Sequence, residues 1–172
     1  MSKPTVYLDA NILSALHYDG GNVLLLERTL TTRDWWVLER PLFQVWTSKI
    51  TVLELAKGRY RGQRDAVAEA ARLPHLPFTA AVAHCARILL AEKLVPAAEN
   101  ADALHLAFAI VHRIDYLLTW NHAHLANLEI HGQLRAVCKR HGWRAPWVVS
   151  PDTIPKAAWG HTIRRSDEED TV

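Results

Sequence analysis

The apolar residues of this chain recur with two alternating periods. Short runs rich in β-branched and aromatic residues are typical of strands, and each is followed by segments whose apolar residues recur every three or four positions, as on one face of a helix. The predicted strands are 5–8, 43–47, 115–119 and 147–149, and the predicted helices are 10–16, 22–38, 50–56, 66–73, 80–94, 101–113 and 124–141.

Strands that alternate with helices favour a particular fold class. Parallel neighbours in a sheet need a crossover connection, which a helix supplies. We therefore expect an α/β fold with a central parallel sheet of about four to five short strands and helices on both faces. The length of 172 residues, without an internal repeat or linker, predicts one domain over 1–155 and a partly disordered C-terminal tail over 156–172.

Capping signals place two acidic residues on helices. Ser48 is a candidate N-cap and Gly58 a candidate C-cap of one predicted helix, so Glu54 lies within it. Asn100 can cap the next helix of interest, which is apolar on nearly every side and should be central and buried. Asp102 opens that buried helix.

Composition excludes several classes of protein. An apolar fraction of 49% and a charged fraction of 22% are near the averages of globular proteins and exclude a fibrous or fully disordered chain. No run approaches the roughly 18 apolar residues that a membrane span requires, and residues 1–4 lead into the first strand without a signal sequence. We expect a cytoplasmic protein in which Cys85 and Cys138 are buried, reduced thiols.

Net charge leaves the partner of the protein open. A formal charge of +2 is too small to indicate nucleic-acid binding by itself. The most basic stretch runs from Lys57 to Arg64, and its residues Lys57, Arg59 and Arg61 could contact RNA phosphates near Glu54. A solvated face is an equally good interpretation of the same residues.

Four polar residues fall at equivalent places in the predicted topology. Asp9 and Asn121 directly follow strands, Glu54 lies just after another, and Asp102 begins a buried helix. In open α/β sheets, sites form beyond the carboxyl ends of the strands, so these side chains should converge. Carboxylates that converge repel one another by several kcal/mol per pair at an effective dielectric of about 20 unless a cation is bound.

The chemistry of this set favours a hard divalent cation. Oxygen ligands suit Mg²⁺ or Mn²⁺ better than zinc, and such an ion keeps waters that can attack a phosphodiester. On this interpretation Asp9 and Asp102 hold the metal, and Glu54 joins them as a ligand or positions and deprotonates the water. Asn121 would orient a ligand water or a phosphate.

Structural interpretations of the same residues stay open. Asp9 could be only an N-cap, and Asp102 could serve only the dipole of its helix. Glu54 could be a surface residue paired with Lys57, three positions on. Asp115 precedes its strand, so we expect it at the opposite edge of the sheet in a turn or capping role.

Histidines and tryptophans offer further candidates. His105 and His112 on the central helix are interpreted as hydrogen-bonded packing residues. Trp35 and Trp36 could stack on bases, but packing in the core or in a dimer is favoured, because large aromatic side chains mostly serve burial.

Several segments resemble the motifs of a known family, the PIN domains. These segments are 6–11, 48–58, 101–107, 115–121 with 124–127, and the ending 142–152. Among PIN proteins the chain is most similar to the VapC-like branch, many of whose members are ribonuclease toxins of type II toxin–antitoxin pairs. One departure is Asn121, because the fourth motif commonly ends in Asp.

The resemblance implies a function. It implies a PIN-like fold, RNA as substrate, Mg²⁺ or Mn²⁺ as cofactor, a small antitoxin as partner and a homodimer. The leading hypothesis is a metal-dependent endoribonuclease with Asp9, Glu54, Asp102 and Asn121 at its catalytic site. The alternative is a non-catalytic PIN-fold module that binds RNA or a protein partner, because Asn121 stands where an acid is common.

Overall fold

Five short strands alternate with seven helices in a computed structural model that describes residues 2–96, 100–121, 125 and 128–155. The predicted C-terminal tail, 156–172, lies outside the described residues. The strands are β1 (Thr5–Leu8), β2 (Gln44–Ser48), β3 (His75–Leu76), β4 (Tyr116–Leu118) and β5 (Trp147–Val149). The helices are α1 (Ala10–His17), α2 (Val23–Leu38), α3 (Lys49–Lys57), α4 (Gln63–Arg72), α5 (Ala80–Ala91), α6 (Asn100–Val111) and α7 (Leu128–Arg140), with a 3₁₀ turn at Arg40–Leu42.

The strands form one parallel sheet in the order β3-β2-β1-β4-β5. β1 is central: Val6 lies opposite Val45 of β2 on one side and Tyr116 of β4 on the other. Because all the strands are parallel, their carboxyl ends meet at the same edge. This architecture confirms the expected α/β class, and it gathers the residues that follow β1, β2 and β4.

Helices pack on both faces of the sheet, as expected. Side chains of a strand alternate between faces, so Tyr7 joins a core with α5, α6 and α7, whereas Val6 and Leu8 join a second core with α1 to α4. Trp35 of α2 belongs to the second core and packs against Phe43, which confirms the packing interpretation of this tryptophan. Burial of each large apolar side chain contributes roughly 1.5–3 kcal/mol.

Helix α6 is the central buried helix that its composition predicts. Every residue from 105 to 110 is buried, and an all-round apolar helix is stable only inside a core. Two buried polar side chains, Asp102 and His105, interrupt its apolar surface. They lie three residues apart and therefore on one face of the helix.

Some boundaries differ from those predicted. β3 has only two residues, too few to give a recognisable pattern. α4 begins at Gln63, three residues early, after Gly62 at φ +87°, where a Cβ atom would lie 1.7 Å from the carbonyl oxygen of His17. α6 begins at Asn100 itself, so this residue is in the helix and not before it. Ser48 caps α3 as predicted, accepting from the Thr51 N–H.

Both cysteines are free and buried, as expected. Burial, with a smaller effect of Cys138, raises the pKa of the Cys85 thiol to about 12. Burial likewise raises the pKa of Cys138 to about 11, so both thiols are protonated and unreactive at neutral pH. Among the helices of the described residues, none has the length and apolar character to cross a membrane.

Candidate metal centre

Asp9 joins the central strand to the first helix. Its backbone N–H donates to the Leu118 carbonyl at 3.1 Å, so the residue extends the pairing of β1 with β4. Its side chain caps α1 by accepting from the Asn11 N–H at 3.4 Å, and it is buried. The capping role considered from the sequence is therefore present, and it holds the carboxylate at the carboxyl edge of the sheet.

Two further side chains, those of Asn11 and Thr119, fix the orientation of this carboxylate. Asp9 Oδ2 accepts from Asn11 Nδ2 at 2.7 Å and from the Thr119 hydroxyl at 2.6 Å. Asn11 Nδ2 also donates to Thr119 Oγ1 at 2.9 Å, and Asn11 Oδ1 accepts from the Trp120 N–H at 2.8 Å. The ends of β1 and β4 are thus connected by buried hydrogen bonds that leave Asp9 little freedom to turn.

Glu54 reaches the same place from α3. Its Oε2 atom lies 2.8 Å from His105 Nε2, and the same nitrogen lies 3.5 Å from Asp9 Oδ1. One potential ligand atom of each of Asp9, Glu54 and His105 lies within 4.8 Å of the others. Because the Glu54 side chain is about a quarter exposed (26%), this cluster opens to solvent on the side of α3.

His105 is held from behind by a tyrosine. Its Nδ1 atom lies 3.0 Å from the Tyr7 hydroxyl, which in turn lies 2.7 Å from Ser48 Oγ. Burial alone lowers the pKa of His105, but Tyr7, Asp9 and Glu54 outweigh it and raise the pKa well above the ordinary value. The imidazole therefore faces the carboxylates as a charged donor when they are not neutralised otherwise.

Asp102 enters the site from the first turn of α6. It is buried, and its Oδ2 atom accepts from Asn121 Nδ2 at 2.9 Å. The backbone N–H of Asn121 donates to Thr119 Oγ1 at 3.0 Å, and Thr119 is bonded to Asp9. Asn121 and Thr119 therefore connect Asp102 with the Asp9 side of the site.

The structure thus places all four sequence-predicted residues at one edge of the sheet. Asp9 and Glu54 belong to the compact cluster with His105, and Asp102 is linked to it by the amide of Asn121. The hydrogen bonds expected for His105 are present: Nδ1 bonds to the core residue Tyr7, as a packing role implies, whereas Nε2 faces the carboxylates of Glu54 and Asp9, which the sequence did not indicate.

Two classes of residue in this site were missed or underrated from the sequence. For His105 a signal existed, because it lies three positions after Asp102 and so shares its face of α6. For Asn11 and Thr119 there was none, since their role depends on the pairing of β1 with β4, which no local pattern specifies.

The basic residues considered as RNA contacts lie beside the cluster and not within it. Lys57 ends α3 one turn after Glu54, and Arg59 and Arg61 follow in the next loop. All three are exposed.

Asp115 lies at the opposite end of the sheet, as expected. Its Oδ2 atom accepts from the Thr5 N–H and hydroxyl, each at 2.9 Å, and its Oδ1 atom accepts from Arg144. Burial raises the pKa of this carboxyl, but the bonds from Thr5 and Arg144 outweigh burial and lower the pKa below its usual value. Asp115 stabilises the start of β1 and does not belong to the site.

Comparison with known families decides how this edge is interpreted. Residues 6–127, more than half of the chain, match the PIN domain. The chain belongs to the PIN domain family. PIN domains are generally nucleases, so the acidic edge of this PIN domain is where hydrolysis is to be tested. Comparison with curated proteins finds none that matches the chain.

The donor set of this PIN domain fits a divalent cation. Two carboxylates, Asp9 and Glu54, present oxygens in one cluster, and Asp102 is buried nearby. Oxygen ligands of this kind suit a hard ion, and two carboxylates with retained waters are typical of Mg²⁺ sites. His105 then acts behind the ligands, donating to Glu54.

Proposed function

We propose that this PIN domain is a metal-dependent endoribonuclease that uses Mg²⁺ or Mn²⁺. Asp9 and Asp102 would hold the ion, with Glu54 as a third ligand or as the residue that positions the water. The observation that carries the proposal is the convergence of Asp9 and Glu54 in a cluster spanning 4.8 Å, with the buried Asp102 bonded to Asn121 beside it. In that cluster a divalent cation would neutralise the repulsion between the two carboxylates, which the charged imidazole of His105 offsets in the metal-free protein.

The reaction would be the hydrolysis of a phosphodiester bond. A divalent ion at this site supplies a water of lowered pKa and neutralises charge on the phosphate. Glu54, whose carboxylate is partly exposed, would accept a proton from the attacking water as the oxygen of that water bonds to phosphorus, and the leaving oxygen would separate from phosphorus and take up a proton from solvent. Asn11 and Thr119 hold Asp9 in one orientation, and His105 holds Glu54.

The substrate and the setting follow from the sequence resemblance. We propose RNA as substrate, with phosphates contacted by the exposed Lys57, Arg59 and Arg61. The similarity of five segments to the VapC-like branch supports a cytoplasmic toxin of a type II toxin–antitoxin pair that forms a homodimer and is inhibited by a small antitoxin.

Exposed apolar side chains on α2 are compatible with a protein partner. Val23 and Leu24 are 78% and 75% exposed, and Val37 and Leu38 are each 70% exposed. Exposed apolar patches typically mark interaction sites, and we propose that the exposed side chains of α2 contribute to one. Light scattering of the purified chain tests the homodimer: a monomeric mass at micromolar concentration would contradict it.

One substitution tests the enzyme directly. Single-stranded RNA incubated with the full chain and Mn²⁺ or Mg²⁺ should be cleaved, and chelator should abolish cleavage. Asp9→Asn should lower the rate at least about 100-fold, because it removes a ligand charge that no other group replaces. Asp34→Asn, which changes an exposed carboxylate on α2, is the matched control and should cleave normally.

The same experiment separates the two candidate functions. Cleavage that survives both chelator and Asp9→Asn would contradict a metal–carboxylate mechanism. RNA binding without cleavage on any tested RNA would favour a non-catalytic PIN-fold module, the alternative that Asn121 supports because it removes one negative charge from the site.

A further inference from the structure

A cavity adjoins the acidic cluster on the side of α1 and α2. Its volume is about 290 Å³, near the lower end of the roughly 300–1,000 Å³ range of ligand pockets, so it suits a group the size of one ring system. Tyr18, Tyr60 and Trp120 line it together with Arg28 and Asn11. The surface that these residues present to the cavity is almost entirely apolar.

The cavity shares one side chain with the candidate metal centre. Asn11 lines it, and the amide of Asn11 donates to Asp9 Oδ2 at 2.7 Å. The other end of the same amide accepts from the backbone N–H of Trp120 at 2.8 Å, and Trp120 also lines the cavity. A group in the cavity is thus separated from the Asp9 carboxylate by a single side chain.

Aromatic rings and cations occur together around this cavity. The guanidinium carbon of Arg28 lies 5.6 Å from the centre of the Trp120 ring, within cation–π range. Tyr60 is fixed by a hydrogen bond of 3.0 Å from the Ser14 hydroxyl. Arg28 lines the cavity, and Arg59 and Arg61, the sequence neighbours of Tyr60, are exposed.

We propose that this cavity binds one unpaired base of the RNA, stacked against its aromatic wall, while the adjoining phosphate lies at the Asp9 and Glu54 cluster. The inference rests on the proposed ribonuclease function and names a subsite for it. Proteins that bind single strands combine aromatic platforms with cationic grooves in this way. An apolar side chain of a protein partner would fill the volume equally well, but it would leave Arg28, Arg59 and Arg61 without a role.

The apolar lining of the cavity determines how strongly it can discriminate among bases. Stacking accepts every base, whereas discrimination requires hydrogen bonds to base edges. Because the lining is apolar, the subsite requires an unpaired base without strongly selecting its identity. Single-stranded RNA should therefore bind better than the same sequence in a duplex.

Binding of a labelled oligoribonucleotide, measured by fluorescence anisotropy in chelator, tests this subsite apart from cleavage. Tyr60→Leu should weaken binding about 5- to 100-fold, the range expected for loss of one stacked base. Tyr60→Phe keeps the ring and should restore most of the affinity. Trp147→Leu is the matched control, because Trp147 forms a similar pair with Arg135, at 4.5 Å, on the far strand β5.

An abasic scan identifies the base concerned. With the abasic site at the stacked position, the full-length chain and its Tyr60→Leu variant should bind equally; at other positions the variant should remain weaker. If Tyr60→Leu binds every oligonucleotide as well as the unaltered chain does, no base occupies the cavity, and an apolar side chain of a protein partner is its better occupant.

The readouts also separate this inference from the proposed function. A chain that binds RNA through Tyr60 but never cleaves it with Mn²⁺ loses the enzyme proposal and keeps the base subsite. A chain that cleaves RNA with unchanged affinity in Tyr60→Leu keeps the enzyme and loses the subsite. If the chain does not bind RNA at all, the base subsite is overturned, even if Mn²⁺ raises the Tm of the chain.

Discussion

Asn121 occupies the position at which one charge decides the strength of the site. Its amide donates to Asp102 at 2.9 Å, so it neutralises part of that buried carboxylate without adding a charge of its own. A carboxylate there would have the opposite effect on Asp102 in the absence of a cation and would add a ligand in its presence. We therefore expect Asn121 to lower the affinity of the site for a cation and to stabilise the metal-free protein.

Asn121→Asp tests both effects through the thermal stability of the chain. In chelator the Tm of this variant should fall below that of the unaltered chain. Asp102 would then face a second carboxylate in place of the amide that donates a hydrogen bond to it. With Mn²⁺ the Tm of the variant should rise by more than the unaltered chain gains, since the ion binds an extra charge. Asn121→Ala, which removes the hydrogen bond to Asp102, worth about 1 kcal/mol, and adds no charge, should lack the second effect. An equal response to Mn²⁺ in all three would show that Asn121 lies outside the metal's reach.

His105 is a positioning residue for Glu54. Groups that orient metal-binding carboxylates typically contribute about 10- to 100-fold to metal affinity or activity. We expect His105→Ala to lower RNA cleavage by that factor and to raise the Mn²⁺ concentration needed for half-maximal rate. His112→Ala, which changes the histidine stacked on Phe108 beyond the end of α6, should change stability without that metal shift. If both variants reached half-maximal rate at the same Mn²⁺ concentration, His105 would have only a packing role.

The sequence predicted the acids of this site better than the groups that hold them. Asp9, Glu54 and Asp102 each follow a recognisable strand or helix boundary, so their convergence can be derived from topology. The bond from Thr119 to Asp9 depends on the pairing of β1 with β4, residues more than 100 positions apart. Local periodicity carries no information about such a pair.

At the scale of elements, the two ends of the sheet carry different kinds of polar residues. The carboxyl ends of β1, β2 and β4 present the polar groups of the site. The amino ends are tied together by Asp115, which accepts from both the N–H and the hydroxyl of Thr5 and from Arg144. Stability and candidate chemistry are thereby separated across the length of the strands.

Asp115→Asn should weaken the fold without affecting cleavage. The pKa of Asp115 is lower in the folded chain than in the unfolded one, so its contribution is present above about pH 4 and is lost as the pH falls through the folded value. The variant should lose roughly 1–3 kcal/mol at pH 7. Its Tm should then fall less steeply than that of the unaltered chain between pH 5 and pH 3, measured by circular dichroism in chelator. Parallel curves would contradict this linkage.

Helices and strands could be predicted from the sequence where their apolar pattern extends over many residues. The apolar surface of α6 indicated a central helix, and the alternation of strands and helices indicated a parallel sheet. β3 was not predicted, because its two residues, His75 and Leu76, are too few to show the alternation of a strand. The early start of α4 depends on the close approach of Gly62 to His17, a contact between distant parts of the chain.

At the scale of the molecule, metal binding at the candidate site would be coupled to folding. Its carboxylates come from the end of β1 and from α3 and α6, which pack on opposite faces of the sheet, so the cluster exists only when the sheet is assembled. An ion that binds the folded chain alone stabilises it by mass action. Metal affinity is therefore readable as a shift of global unfolding.

Mn²⁺ should raise the Tm of this PIN domain in a concentration-dependent way. At about 100 times its Kd, a ligand adds roughly 2.7 kcal/mol, and each kcal/mol corresponds to about 2–4 °C for a domain of this size, so a rise of roughly 5–10 °C is expected in calorimetry. Asp9→Asn should abolish most of the rise, because it removes a ligand charge, whereas the exposed Asp34→Asn should retain it. A rise of equal size in both variants would mean that Mn²⁺ binds away from the Asp9 carboxylate.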